Sequence, residues 1–302
     1  MRTIIQVSGK EIRIKGRLLR IASLEGDGYL FVDQPDAVLE GLRKSPTRID
    51  LFTFTQKLSD TSPKYKYPME LDNMAALPVS TYENWWTRQL NDKTRNMVRR
   101  AEKKGVSTRE VAFDDTLVNG IWEIYNESLI RQGKPNAHYG KDLETIRKMS
   151  ATFPDESFFI GAFLRESMIG FAKLTCDEGQ GQASLMHIVS MNGHRDKAPT
   201  NALIAQAVRS CAARGIPYLV YAKFAYGKKL RDSLSDFKQH NGFMRIDIPR
   251  YYVPLTLVGQ TALWFGLHRR LEYYIPESVQ AKLRKIRSVW NIWKLQSTKK
   301  TA

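Results

Sequence analysis

The chain has 302 residues, of which 42% are hydrophobic and 11% aromatic. That is enough to bury one large or two modest cores and too much for a disordered polymer. The formal net charge of +16 favours a polyanionic partner such as RNA, phospholipid headgroups or a phosphorylated substrate. The two cysteines, Cys176 and Cys211, lie in apolar-periodic segments away from any histidine cluster, which argues against a disulfide framework or a zinc site and suits a reducing compartment.

Residues 1–78 read as a small β-rich lobe. The opening Met1–Ile5 is broken by Lys10 and Glu11 too soon for a signal peptide. Strands are expected at 11–14, 18–23, 29–32 and 49–54, with turns at Gly9, Gly16 and Glu25-Gly26-Asp27-Gly28. Pro35 opens a helix running to about Lys44, and 59–68, with Pro63 and Pro68, is an irregular connection.

Residues 79–255 form the next unit. Thr81 caps a helix, with Glu83 as a capping partner, and Trp86, Leu90, Met97, Val98 and Ala101 carry it to Lys104 before Gly105 stops it. Helices at 116–132 and 141–151 lead to strands at 157–164 and 168–175, apolar on both faces as buried central strands are. A turn at 178–181 leads into a strand at 183–190. If that turn centres on Gly179, His187 shares a sheet face with Lys173. A helix at 200–214, a strand at 218–221, a polar helix ending at 236–243 and a closing strand complete the unit.

Residues 256–302 read as a basic helical extension. The apolar stretch 253–267 contains Pro254 and Gln260 and falls short of the ~20 residues that span a bilayer. From Arg269 onward there are nine Lys/Arg against Glu272 and Glu277. Leu283, Ile286, Trp290 and Trp293 make one seam among Arg284, Lys285, Arg287 and Lys294, so 276–297 suits either docking on the core or peripheral contact with an anionic membrane. A second basic segment, from Arg88 to Arg109, holds eight basic and two acidic residues. There Arg95, Arg99 and Lys103 follow i, i+4, i+8, and with Arg100 and Lys104 they suit phosphate contacts.

The order of elements from 158 to 243 resembles the acyl-transfer core of the GNAT superfamily. That resemblance implies an α/β (α+β) fold: a mixed, mostly antiparallel sheet flanked by helices. It also implies an enzyme that moves an acyl group onto an amine. In such cores a Gln/Arg-x-x-Gly-x-Gly/Ala loop cradles the pyrophosphate of coenzyme A with backbone N–H groups. Here the loop reads Asn192-Gly193-His194-Arg195-Asp196-Lys197-Ala198-Pro199-Thr200. Arg195 can start the pattern, but Ala198 and Thr200 stand at the glycine positions, Pro199 lacks an N–H and Asp196 repels phosphate.

Two motifs resemble the FemAB-like (FemX-like) branch, which takes aminoacyl groups from aminoacyl-tRNA. Arg95-Asn96-Met97-Val98-Arg99-Arg100-Ala101-Glu102-Lys103-Lys104-Gly105-Val106 is similar to that family's basic helix. Asp236-Phe237-Lys238, followed after three residues by Gly242-Phe243, is similar to its Phe-Lys signature. The resemblance covers 80–255. It implies tRNA or another polyanion as partner, a peptidoglycan-type or lipid-linked amine acceptor, and no required cofactor. An acyl-CoA-dependent N-acyltransferase and a non-catalytic RNA- or membrane-binding module are the alternatives. The expected location is the cytoplasm or the inner membrane face.

The resemblance also puts Lys238 at the reacting centre as an oxyanion or phosphate stabiliser. Phe237 is core or substrate-facing. Tyr221 and Tyr226, at the end of their strand, are proton donors or packing residues, and His187, mid-strand beside the expected carbonyl site, is a catalytic residue or a core histidine. An N–H from 186–190 is expected to meet the donor carbonyl.

Overall fold

A computed structural model describes residues 2–58, 60–131, 134–177, 179–226 and 232–269, together with 274–276, 279 and 282. The seam expected at 276–297 lies almost wholly outside the described residues. In chain order the elements are β1 (Arg2–Val7), β2 (Lys10–Lys15), β3 (Ile21–Leu24), α1 (Pro35–Lys44), β4 (Leu51–Thr55), β5 (Met69–Pro78), α2 (Tyr82–Asn84), α3 (Asp92–Lys103), β6 (Val106–Val111) and α4 (Asp115–Asn126). There follow β7 (Ile130–Arg131), β8 (Lys134–Pro135), α5 (Leu143–Ser150), β9 (Ser157–Leu164), β10 (Ser167–Cys176), β11 (Ala183–Ser190), α6 (Pro199–Ala213), β12 (Tyr218–Val220), α7 (Ser233–His240), β13 (Met244–Pro254) and α8 (Leu257–Trp264).

Eleven strands make one sheet in the order β1-β2-β3-β4-β13-β5-β12-β11-β10-β9-β6. Only β3/β4 and β11/β12 are parallel, so the sheet is mixed and mostly antiparallel, as expected. The long strand β13 pairs with β4 through 250–254 and with β5 through 244–251, which ties the N-terminal strands to the rest. Helices cover both faces of the β9–β11 region. Ala172 and Leu174 pack into a core shared with α3 and α6, while Phe171 packs with Leu117, Ile121 and Tyr125 of α4 on the other face. That double cover is why these strands are apolar on both sides. A separate core under α1 is built from Ile12, Leu24, Leu39, Phe52 and Phe54.

Three expectations are corrected. Residues 29–32 are a turn with one isolated bridge, because the Tyr29 and Leu30 N–H groups both fold back on the Gly26 carbonyl at 2.8 Å. The helix expected from Thr81 to Lys104 is interrupted. Thr81 does cap it, accepting from Asn84 N at 3.0 Å, but Trp85–Gln89 form a π turn and Leu90 is extended. Asn91 then restarts the helix by accepting from Thr94 N at 2.8 Å, a side-chain bond that competes with continued helix. Lastly, β1, β5 and β6 form where no element was expected.

Candidate active site

β11 and β12 pair at only two positions, Ala183 with Leu219 and Ser184 with Val220, and then diverge. β10 holds β11 along its length, with Met186 as an extra residue between the Lys173–His187 and Leu174–Leu185 pairs. Met191 N donates to Ile169 O at 2.8 Å. The alternation of an antiparallel pair therefore turns the N–H groups of Ser190 and Ile188 away from β10 and into the splay. Both lie within the 186–190 segment from which a donor-binding N–H is expected.

α7 brings Lys238 to this place. The helix starts with a capping box in which the Asp232 carboxylate accepts from Ser235 N at 2.8 Å. It ends with Gly242 at φ +90°, Gly242 N on Gln239 O and Phe243 N on Lys238 O, both at 3.0 Å. That closure explains the spacing of the Phe-Lys signature, since the glycine supplies the left-handed turn that lets Phe243 reach back to the Lys238 carbonyl.

The Lys238 side chain has no exposed surface. Its Nζ donates to the Lys223 carbonyl and stands 4.6 Å from the Tyr221 ring centroid and 5.3 Å from that of Tyr226. Burial pulls its pKa down to about 8, against a smaller upward pull from Asp232. Burial, helped by Tyr226, pushes the Tyr221 hydroxyl up to about 12, so it stays protonated at neutral pH. Tyr226 is 48% exposed, while Phe237 is half-buried against the α3–α6 core. Lys238, Tyr221, Tyr226 and Phe237 are thus brought together. Behind them runs a chain of charges absent from the sequence reading. Lys223 pairs with Asp72, Asp72 accepts from Arg250 at 2.9 Å, and Arg250 reaches Asp27 at 3.0 Å.

His187 lies apart from that group, facing α4 and α5 beside Lys173. Burial, then His138 and Lys173, draw its pKa down to about 4, so it is neutral. Lys173 is also without exposed surface, and burial lowers it to about 8. Its Nζ donates to Ser150 O and Thr152 Oγ1, both at 2.9 Å, and to Thr152 O, where it closes the end of α5. A lone lysine inside the apolar run of β10 was the available signal for this site.

At the far end of the splay, Asn192–Lys197 form a 3-10 turn and Ala198 takes φ +51°, a left-handed conformation usual for glycine. The Thr200 and Ser190 hydroxyls bond at 2.9 Å. The N–H groups of Asn192 and Gly193 both donate to the Glu127 carboxylate at 2.7 Å, with Arg131 at 3.8 Å from it. The Asn192 and Gly193 amides are therefore satisfied by the protein's own anion.

α3 approaches the same loop through the Lys104–Asp196 pair at 3.5 Å, with Arg195 exposed nearby. Arg99, Arg100, Lys103 and Lys104 are exposed, with Arg99 lying over Trp86 at 5.5 Å. Arg95 departs from the expected stripe. It donates to Trp86 O at 2.9 Å and Thr87 O at 3.3 Å and pairs with Asp92, because the break at Leu90 leaves carbonyls of the π turn unmet. Among the described residues there is no cluster able to hold a metal ion, and no helix is long and apolar enough to cross a membrane.

Solved structures share this architecture. FemX matches with a TM-score of 0.61 over 87% of this chain and 89% of its own, at 9% identity. The C-terminal domain of a protein assigned as lysylphosphatidylglycerol synthetase from Agrobacterium fabrum matches at 0.57, with 87% of each chain covered and 11% identity. L-PGS from Bacillus licheniformis matches at 0.55, again over 87% of each chain, at 13% identity. The chain shares the fold of FemX, of this synthetase domain and of L-PGS. No family model and no curated protein matches its sequence.

Proposed function

We propose that this chain is an acyltransferase that moves an aminoacyl group from aminoacyl-tRNA onto a primary amine. The carrying observation is Lys238, a fully buried ammonium with one hydrogen-bond acceptor among the described residues, set against the Tyr221 and Tyr226 rings just after β12. The acceptor amine attacks the ester carbonyl of the donor. Negative charge then develops on the carbonyl oxygen, where Lys238 and the inward N–H groups of Ile188 or Ser190 stabilise it. Collapse expels the ribose oxygen, which takes the Tyr221 proton; the nitrogen loses its extra proton to water, and water returns one to Tyr221.

Several features support a donor other than coenzyme A. Ala198 and Pro199 stand where the cradle wants glycine and a free N–H, Thr200 is bonded to Ser190, and Glu127 already holds the Asn192 and Gly193 amides. The exposed Arg99, Arg100, Lys103 and Lys104 suit the phosphates of a nucleic acid. The acceptor is a peptidoglycan-type or lipid-linked amine. The likeness to the lysylphosphatidylglycerol synthetase domain, whose name contains a lipid, favours the lipid-linked choice. The expected working place is the cytoplasm, at the inner face of the membrane.

The test is transfer of labelled amino acid from charged tRNA, together with melting curves in coenzyme A. Transfer without a coenzyme A shift supports the proposal, and a clear coenzyme A stabilisation overturns it. Neutralising Arg99 and Lys103 should reduce the salt dependence of tRNA binding by about one slope unit per lost phosphate contact.

A further inference from the structure

α8 reads Leu257-Val258-Gly259-Gln260-Thr261-Ala262-Leu263-Trp264 and carries no charge. Both of its ends are firmly built. Thr256 accepts from Gly259 N at 3.1 Å and donates to Asp50 at 2.8 Å, while Gly259 lies so close to Asp50 that an added Cβ would fall 1.9 Å from its carbonyl oxygen. At the other end Gly266, at φ +73°, closes the helix, with Leu267 N on Ala262 O at 2.7 Å.

This rigid element holds large apolar side chains outward: Leu257 at 85% exposure, Trp264 at 83%, Leu267 at 63% and Phe265 at 62%. Leu257 and Trp264 are two helical turns apart and share a face, and the Trp264 and Phe265 rings lie 4.9 Å apart. Asp50 ties a further apolar tip to the same corner. It pairs with Arg48 at 2.9 Å, and Arg48 donates at 3.4 Å to the carbonyl of Leu18, itself 89% exposed.

Arginines outnumber carboxylates around this corner, Arg17, Arg48 and Arg269 against Asp50 and Glu70. Arg17 and Arg48 are exposed, and His268 and Arg269 follow the helix. The carboxylates bonded here are already engaged, Asp50 with Arg48 and Thr256, and Glu70 with His268 and Arg269.

We propose that α8, the 265–267 turn and Leu18 dock on an anionic lipid surface, the apolar side chains entering the headgroup boundary while the arginines meet lipid phosphates. Tryptophan suits that boundary because its ring is apolar and its N–H is polar. Charge decides between occupants. A second copy would bring two +16 chains together with arginines facing arginines, whereas an anionic bilayer neutralises them. The surface is built from residues outside the 276–297 segment and does not depend on the transferase assignment.

Vesicle flotation of the full chain tests this, with vesicles of phosphatidylcholine alone and of phosphatidylcholine with phosphatidylglycerol. The wild type should float with the anionic vesicles, at least about fivefold more than with neutral ones. The triple variant Leu257→Ser, Trp264→Ser, Phe265→Ser should lose at least about fivefold of that binding. Its melting temperature should stay within about 2 °C, since all three side chains point outward. Failure of the wild type to float overturns the proposal. Undiminished flotation of the triple variant also overturns it and assigns binding to another segment. A concentration-dependent dimer abolished by the triple variant, with flotation unchanged, would make this face a self-interface instead.

Discussion

Lys173 and Lys238 occupy opposite faces of the splayed sheet, both without exposed surface and both drawn down to about 8 by burial. They differ in what receives their protons. Lys173 directs three bonds to Ser150 O, Thr152 O and Thr152 Oγ1, which matches the donor capacity of an ammonium. Lys238 has the Lys223 carbonyl and two tyrosine rings. A buried lysine with its donors filled fastens a helix end. One with donors to spare makes the fold less stable and keeps bonding capacity for something that arrives later. Depth and pKa alone do not separate the two, but the count of acceptors does.

The largest effect should come from Lys238→Met, with turnover falling at least about 100-fold in the charged-tRNA transfer assay. Its melting temperature should hold or rise, because a shift from 10.5 to about 8 corresponds to about 3 kcal/mol against the native state at neutral pH. Lys173→Met should invert that pattern. It should be the less stable of the two variants by about 1–3 kcal/mol in denaturant melts, since it strips the buried Ser150 carbonyl of its donor, and it should keep its turnover per folded molecule. Equal stabilities would break the comparison.

A pH series sharpens it. Turnover should fall as pH rises through about 8, where Lys238 loses its proton, and Lys173→Met should leave that profile in place. Stability runs the other way. Between about 8 and 10.5 the unfolded chain binds protons that the native state has lost, so native stability rises with pH there, and each methionine variant should flatten the rise. A smaller effect is expected on the Lys238 side from Lys223→Met. This breaks the tie to Asp72 but keeps the carbonyl, and turnover should drop by about threefold to tenfold through misplacement. The smallest belongs to the Lys173 side. Wild-type stability should decline as pH falls from 6.5 towards about 4, where His187 stays neutral only in the native state, and His187→Leu should remove that share of the decline.

Much of the frame was legible from local pattern. Pro35 set the start of α1, continuous apolar runs marked β9 and β10, and the turn at 178–181 marked the start of β11. β5 was not legible because Asp72 and Asn73 interrupt its apolar pattern. Their partners lie far along the chain: Arg250 is 178 residues from Asp72, and Ala225 N, which Asn73 accepts at 2.7 Å, is 152 residues from it. In the site, Lys238 was visible as part of a spaced motif with a glycine stop. Glu127 carried no such mark, since a glutamate inside the helix expected at 116–132 looks like any solvated acid, and only the structure ends that helix at Asn126. Its role appears only once the Asn192 and Gly193 amides meet it across 65 and 66 residues.

The order of elements, the +16 charge, the glycine-poor loop and the Phe-Lys signature can all be read along the chain, because periodicity, caps and turns are decided within about ten neighbouring residues. Whether a buried cation is saturated or spare is decided differently. Its acceptors come from segments distant in sequence, 15 residues away for Lys238 and 21 to 23 for Lys173, and whether they come within hydrogen-bond reach depends on how strands and helices pack. Among the described residues, folding gives Lys173 three acceptors and Lys238 one, a difference between two residues of one type that no local pattern carries.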